Sequence, residues 1–129
     1  MDKIIDRLYL GNLKGASDLN VLKSAGITHV LQVASGIKPF FPKDLKYKVI
    51  AITDTSSSSL IRHFPAAISF IKEGISKGGV LVHCYAGVSR SASCVIAYLM
   101  QEKDMQFQEA FQFASKRRPV IFPNMGFQR

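Results

Sequence analysis

Cys84 and Arg90 stand six positions apart in the stretch HCYAGVSR, with no charged residue between them. The apolar run GGVLV precedes this stretch, and SASCVIAYLM follows it with apolar residues at helical spacing. A loop that leaves a buried strand and enters a helix meets backbone N–H groups with no partner inside the helix. Together with the helix dipole, these amides make an anion site. Gly87 lets the chain curl tightly, so that several amides of the loop interior (Tyr85, Ala86, Gly87, Val88 and Ser89) can converge. Arg90, wrapped around the same curl, presents a planar fork to two oxygens of a phosphoryl group. The positive field also acts on Cys84. A thiol with an ordinary pKa of about 8.5 falls to ~3.5–7.5 beside cations at a helix N-terminus. The expected chemistry is capture of a phosphoryl group by amides and guanidinium, with a thiolate beneath the phosphorus for in-line attack.

The flanking residues extend this pattern. His83 can orient the loop through backbone carbonyls, and its proximity helps to set the state of the thiol. Ser91 carries a hydroxyl able to donate to the sulfur when the thiolate must leave a phospho-enzyme. Ser89 suits a helix N-cap. Cys94 falls on an apolar face and reads as a small core residue. A bridge from Cys84 at a strand end to Cys94 two helical turns on is not expected. A thiolate attack also needs a leaving oxygen that is protonated as its bond breaks. IAITDTSSSSL ends a strand with Asp54, although an aspartate in that position is equally at home in a turn or cap.

The elements that must position these groups alternate along the chain. IIDRLYLGN reads as a short strand ending in a turn. SDLNVLKSAG reads as a helix with Ser17 as N-cap, Leu19 and Leu22 on one face, and Gly26 at its end. ITHVLQVA and YKVIAI are β-branched runs of strand length. Phe64, Ile68, Ile71 and Ile75 recur at helical steps, with Pro65 expected in the first turn. GGVLVH is a glycine-bounded strand. SASCVIAYLM places Ala92, Val95, Ile96, Leu99 and Met100 on a helical face, and FQEAFQFA does the same with Phe107, Ala110, Phe111 and Ala114. The order implies an α/β fold: a central, mostly parallel sheet of about five strands with helices on both faces. Ligands bind beyond the carboxyl ends of such strands, where His83 and Cys84 stand.

Composition sets the limits. The 129 residues suit one domain, 1–129, and apolar residues at 47% against charged residues at 20% suit a globular chain. No stretch is long and apolar enough to span a bilayer, and the N-terminus has no signal-peptide profile, so a cytoplasmic or nuclear protein is expected. Seventeen Lys+Arg against nine Asp+Glu give a net charge of +8, which favours anionic partners without choosing among them. The densest basic runs, KDLKYK and SKRRP, read as solvated faces. His29 and His63 have no partner legible in the sequence. No Cys/His cluster has metal spacing, and neither metal nor cofactor is expected.

VHCYAGVSRSAS resembles the signature of dual-specificity protein phosphatases, within the cysteine-dependent protein tyrosine phosphatase superfamily. RLYLGN, GITHVLQVA, SRSASCVIAYLM and RPVIFPNMGF extend the resemblance over nearly the whole chain, with Gln32 where an asparagine is more usual. The resemblance implies a phosphocysteine mechanism with Cys84 as nucleophile, Arg90 and the loop 85–89 as phosphate binders, and Asp54 as general acid. It also implies Ser91 as a catalytic hydroxyl and His83 and Asn124 as supporting residues. Phosphate or sulfate is expected to occupy the same loop. The implied substrates are phosphoproteins carrying phosphotyrosine, phosphoserine or phosphothreonine. A chain this short lacks room for the deep cleft of tyrosine-specific members. The alternatives are a phosphoinositide phosphatase, an RNA 5′-triphosphatase, or a binding module without turnover. The first is disfavoured by a loop without lysine and the last by retention of Cys84 and Arg90. Nucleic acid is not the expected partner. Preference among phosphoresidues, docking partners and oligomeric state are not written in the sequence.

Overall fold

The computed structural model describes residues 1–51, 57–85 and 90–118. Asp54, residues 86–89 and Asn124 lie outside them. Five strands form one sheet: β1 (Asp2–Ile5), β2 (Leu8–Gly11), β3 (His29–Gln32), β4 (Lys46–Val49) and β5 (Val80–His83). Their spatial order is β1-β2-β5-β3-β4, with only β1 antiparallel. The helices are α1 (Leu13–Ala16), α2 (Leu19–Ser24), α3 (Ser57–Lys77), α4 (Arg90–Glu102) and α5 (Phe107–Arg117). The mostly parallel α/β architecture matches the sequence expectation.

Strand periodicity divides the core in two. Leu8, Leu10, Leu31, Val33, Val80 and Val82 face α3, α4 and α5, burying Leu60, Ile68, Ile71, Val95 and Leu99 against them. The alternate residues Val30 and Leu81 face the other way, with Ala16 and Leu22 of the two short helices and Leu45. Two-residue alternation is what places successive side chains on opposite faces of a strand.

Four local expectations are corrected. The N-terminal segment is a hairpin rather than one strand: Asp6 and Arg7 turn the chain, with Arg7 at φ 68°. Asp18, not Ser17, caps α2 through the Val21 amide, while the Ser17 hydroxyl donates to the Lys14 carbonyl at the end of α1. Pro65 lies within α3 rather than in its first turn. It is exposed, so the carbonyl that its missing N–H would have met can turn to water. Met100 is 37% exposed, and Tyr98 takes the buried place on α4.

The basic runs are largely solvated, as expected, with Lys43, Lys46, Lys116 and Arg117 exposed and Arg118 the buried exception. Lys46 pairs with Glu73 of α3 at 2.7 Å. Arg118 is 8% exposed and pairs with Asp2 of β1 at 2.6 Å, tying the end of α5 to the first strand. The Arg117 guanidinium lies 3.5 Å from the centroid of the Phe113 ring. His29 is buried, with its Nε2 2.9 Å from Glu73 and its Nδ1 2.7 Å from the Thr28 hydroxyl.

Candidate active site

Strands β2, β5 and β3 end level with one another, because Gly11, His83 and Gln32 are register partners. The next residue of β5 is Cys84, so its thiol sits at the carboxyl edge of the central strand, between two parallel neighbours. This is the position at which open α/β sheets bind ligands. Cys84 is 2% exposed, and its Sγ lies 3.2 Å from the hydroxyl of Ser91, the second residue of α4. Arg90 is the first residue of that helix. The strand end and the helix start thus bring together three of the residues expected from the sequence, over a gap of seven positions. Of the remaining site residues, Asp54, Asn124 and the loop interior at Ala86, Gly87, Val88 and Ser89 fall outside the described residues.

His83 is fully buried. Its Nδ1 lies 3.3 Å from the Cys84 carbonyl. A carbonyl only accepts, so Nδ1 carries the proton and Nε2 is left as an acceptor. That Nε2, and the Oε1 of neighbouring Gln32, have no hydrogen-bond partner among the described residues. Burial holds the imidazole below its ordinary value of 6.5, opposed in part by the bond to Cys84. A neutral His83 therefore braces the backbone of Cys84. Cys94 is buried in α4, and burial pushes its thiol well above the ordinary range, with the nearby charge of Cys84 adding to the effect. It is a core residue, as its apolar setting implied.

Sequence reasoning placed Tyr85 in the loop but not its contacts. Its carbonyl accepts from the Leu13 amide at 3.0 Å, at the start of α1. Its phenol donates to the Ser35 carbonyl at 3.3 Å, in the connection between β3 and β4. Its ring centroid lies 5.5 Å from the centre of the Arg90 guanidinium. Gln32 donates from Nε2 to the Ile37 carbonyl at 2.6 Å, fixing the same connection from within. No local sequence signal announces the bonds of Tyr85 to Leu13 and Ser35, because these partners lie far from it along the chain.

A buried thiol thus ends the central strand of an α/β sheet, with a serine hydroxyl beside it and an arginine opening the next helix. The family model described as "Dual specificity phosphatase, catalytic domain" matches residues 8–129, and the chain belongs to that family. It is 48% identical over 126 residues to "MAP kinase phosphatase with leucine-rich repeats protein 2" of Dictyostelium discoideum, covering 98% of this chain and 18% of that one. It is 43% identical over 128 residues to "Dual specificity protein phosphatase 1B" of Arabidopsis thaliana, covering 98% of this chain and 77% of that one. The crystal structure of the human "tyrosine phosphatase-like serine/threonine/tyrosine-interacting protein" superposes with a TM-score of 0.94 at 39% identity, covering 99% of this chain and 90% of that one. The chain thus spans a small part of the repeat-containing relative and most of the other two.

Proposed function

We propose that the protein hydrolyses phosphotyrosine and phosphoserine or phosphothreonine in phosphoproteins, through a cysteinyl-phosphate intermediate. The observation that carries this reading is the buried Cys84 thiol at the end of β5, with Ser91 at 3.2 Å and Arg90 opening α4. Family membership supports it.

Each residue has a part in the mechanism. Arg90 and the amides of the loop 85–89 bind the phosphoryl oxygens and neutralise charge in the transition state. The Cys84 thiolate attacks phosphorus in line, the bond from phosphorus to the substrate oxygen breaks, and Asp54 gives that oxygen its proton. Asp54 then takes a proton from water as the water oxygen attacks the phosphocysteine. The sulfur–phosphorus bond breaks, and inorganic phosphate leaves. The Ser91 hydroxyl donates a hydrogen bond to the departing sulfur, and His83 holds the Cys84 backbone in place. Asn124 supports the loop from the C-terminal segment.

Among the described residues no helix is long and apolar enough to cross a membrane. We assign the protein to the cytoplasm or nucleus, where phosphoprotein substrates are met. Localisation of a tagged full-length chain tests this, and accumulation in a secretory compartment refutes it.

Hydrolysis of a small aryl phosphate by the wild type and its loss in Cys84→Ser test the activity. Turnover by Cys84→Ser at the wild-type rate refutes the nucleophile. Asp54→Ala is expected to lower kcat on phosphopeptides by about 10²–10⁴, the usual weight of a general acid. An RNA 5′-triphosphatase that does not use the aspartate would be insensitive to that change.

A further inference from the structure

Tyr85 is 48% exposed, yet three separate elements hold it. The Leu13 amide fixes its carbonyl, the Ser35 carbonyl takes its phenol hydrogen, and its ring lies within cation–π reach of Arg90. A half-exposed ring restrained at both ends is not explained by core packing. The Ser35 end is itself fixed. Gly36 adopts φ 79°, a conformation that glycine allows at little cost, and the next residue, Ile37, accepts from buried Gln32. The chain of contacts therefore runs from Gln32 in the sheet, through residues 35–37, to the Tyr85 ring and on to Arg90.

The chemistry of a guanidinium gives this chain a purpose. Its flat faces are weakly hydrated, whereas its five N–H donors lie in the plane. The Tyr85 ring, with its centroid 5.5 Å from the guanidinium centre, attracts the cation without accepting a conventional hydrogen bond from its N–H donors. The ring also limits the rotamers that a long side chain would otherwise visit, and this lowers the ordering cost of binding.

We propose that Tyr85 is a positioning residue through which residues 35–37 set how firmly Arg90 holds a phosphoryl group; this rests on the reading of 84–90 as the phosphoryl site. Movement of residues 35–37 loosens the grip on phosphate without touching Cys84. Tyr85 contributes to ground-state binding and to the transition state alike, so its loss raises KM more than it lowers kcat.

The test is a double-mutant cycle on the affinity for inorganic phosphate, measured by calorimetry, with aryl phosphate kinetics alongside. Tyr85→Leu is expected to weaken phosphate about two- to fivefold, the weight of an exposed cation–π contact. Tyr85→Phe, which keeps the ring and drops only the bond to Ser35, is expected to weaken it about twofold. In an Arg90→Ala background, Tyr85→Leu should change nothing. An equal loss with and without Arg90 overturns the proposal, as does an unchanged affinity in both Tyr85 variants. Should Tyr85→Leu not fold, Tyr85→Phe against Arg90→Ala carries the same cycle. Absence of turnover in the wild type would refute the proposed function instead, and phosphate affinity would still report on Tyr85 and Arg90.

Discussion

The Ser91 hydroxyl, 3.2 Å from the Cys84 sulfur, is buried where water cannot replace it. A hydrogen bond to a developing thiolate is worth about 1.5–3 kcal/mol. Ser91→Ala is therefore expected to slow breakdown of the phosphocysteine about tenfold to a hundredfold, while its formation is little changed. Stopped-flow release of an aryl alcohol should then show a burst followed by a slow steady rate. Equal slowing of both phases would refute this role. His83 gives a second residue-scale prediction. Burial lowers its pKa, so the unfolded chain binds a proton that the folded chain does not. Stability is retained above about pH 6.5 and falls as the pH drops below it, by up to ~1.4 kcal/mol per unit, until the folded imidazole protonates. Denaturant melts at pH 7 and pH 5.5 should show this slope, and His83→Gln should flatten it.

At the scale of elements, α3 lies so close to the sheet that Gly74 is nearly in contact with it. A Cβ there would meet the Val80 Cβ at 2.8 Å and the His29 Cβ at 3.1 Å, atoms that cannot swing aside. Alanine gains about 1 kcal/mol in helix propensity, but overpacking costs about 1–3 kcal/mol. Gly74→Ala is expected to lower the urea midpoint, and a raised midpoint would show that α3 has room to shift. Strands β3, β4 and β5 were legible as short β-branched runs, and α4 and α5 as apolar residues at helical spacing. Pro65 misled because proline is usually excluded from helix interiors, yet the apolar face of α3 runs through Leu60, Phe64, Ala67, Ile68 and Ile71 and holds the helix together around it. The hairpin between β1 and β2 was missed because its turn, Asp6–Arg7, contains no glycine, and Arg7 takes the positive φ itself. At the candidate site, the placing of Cys84 after a strand and of Arg90 and Ser91 at the start of a helix was legible from the apolar runs on either side. The bonds of Tyr85 to Ser35 and Leu13 were not, because they join residues 50 and 72 positions apart.

For the molecule as a whole, the net charge of +8 acts at a distance. Encounter with an anionic phosphopeptide is expected to be faster than for a neutral protein. Raising ionic strength from about 0.01 M to 0.15 M shortens the screening length from about 30 Å to about 8 Å. At saturating substrate kcat should stay constant while kcat/KM falls, and a salt-independent kcat/KM would show that the charge plays no part in capture. The sheet has a further consequence on its outer side. β4 is its last strand, and among the described residues nothing pairs with the free side of Lys46–Val49. Edge backbones of this kind invite another chain to add a strand, and lysines there repel a like-charged copy. Lys48, and Lys46 although it is paired with Glu73, are therefore expected to disfavour self-association at this edge. Replacing both with threonine should bring concentration-dependent dimers or larger species into view by light scattering.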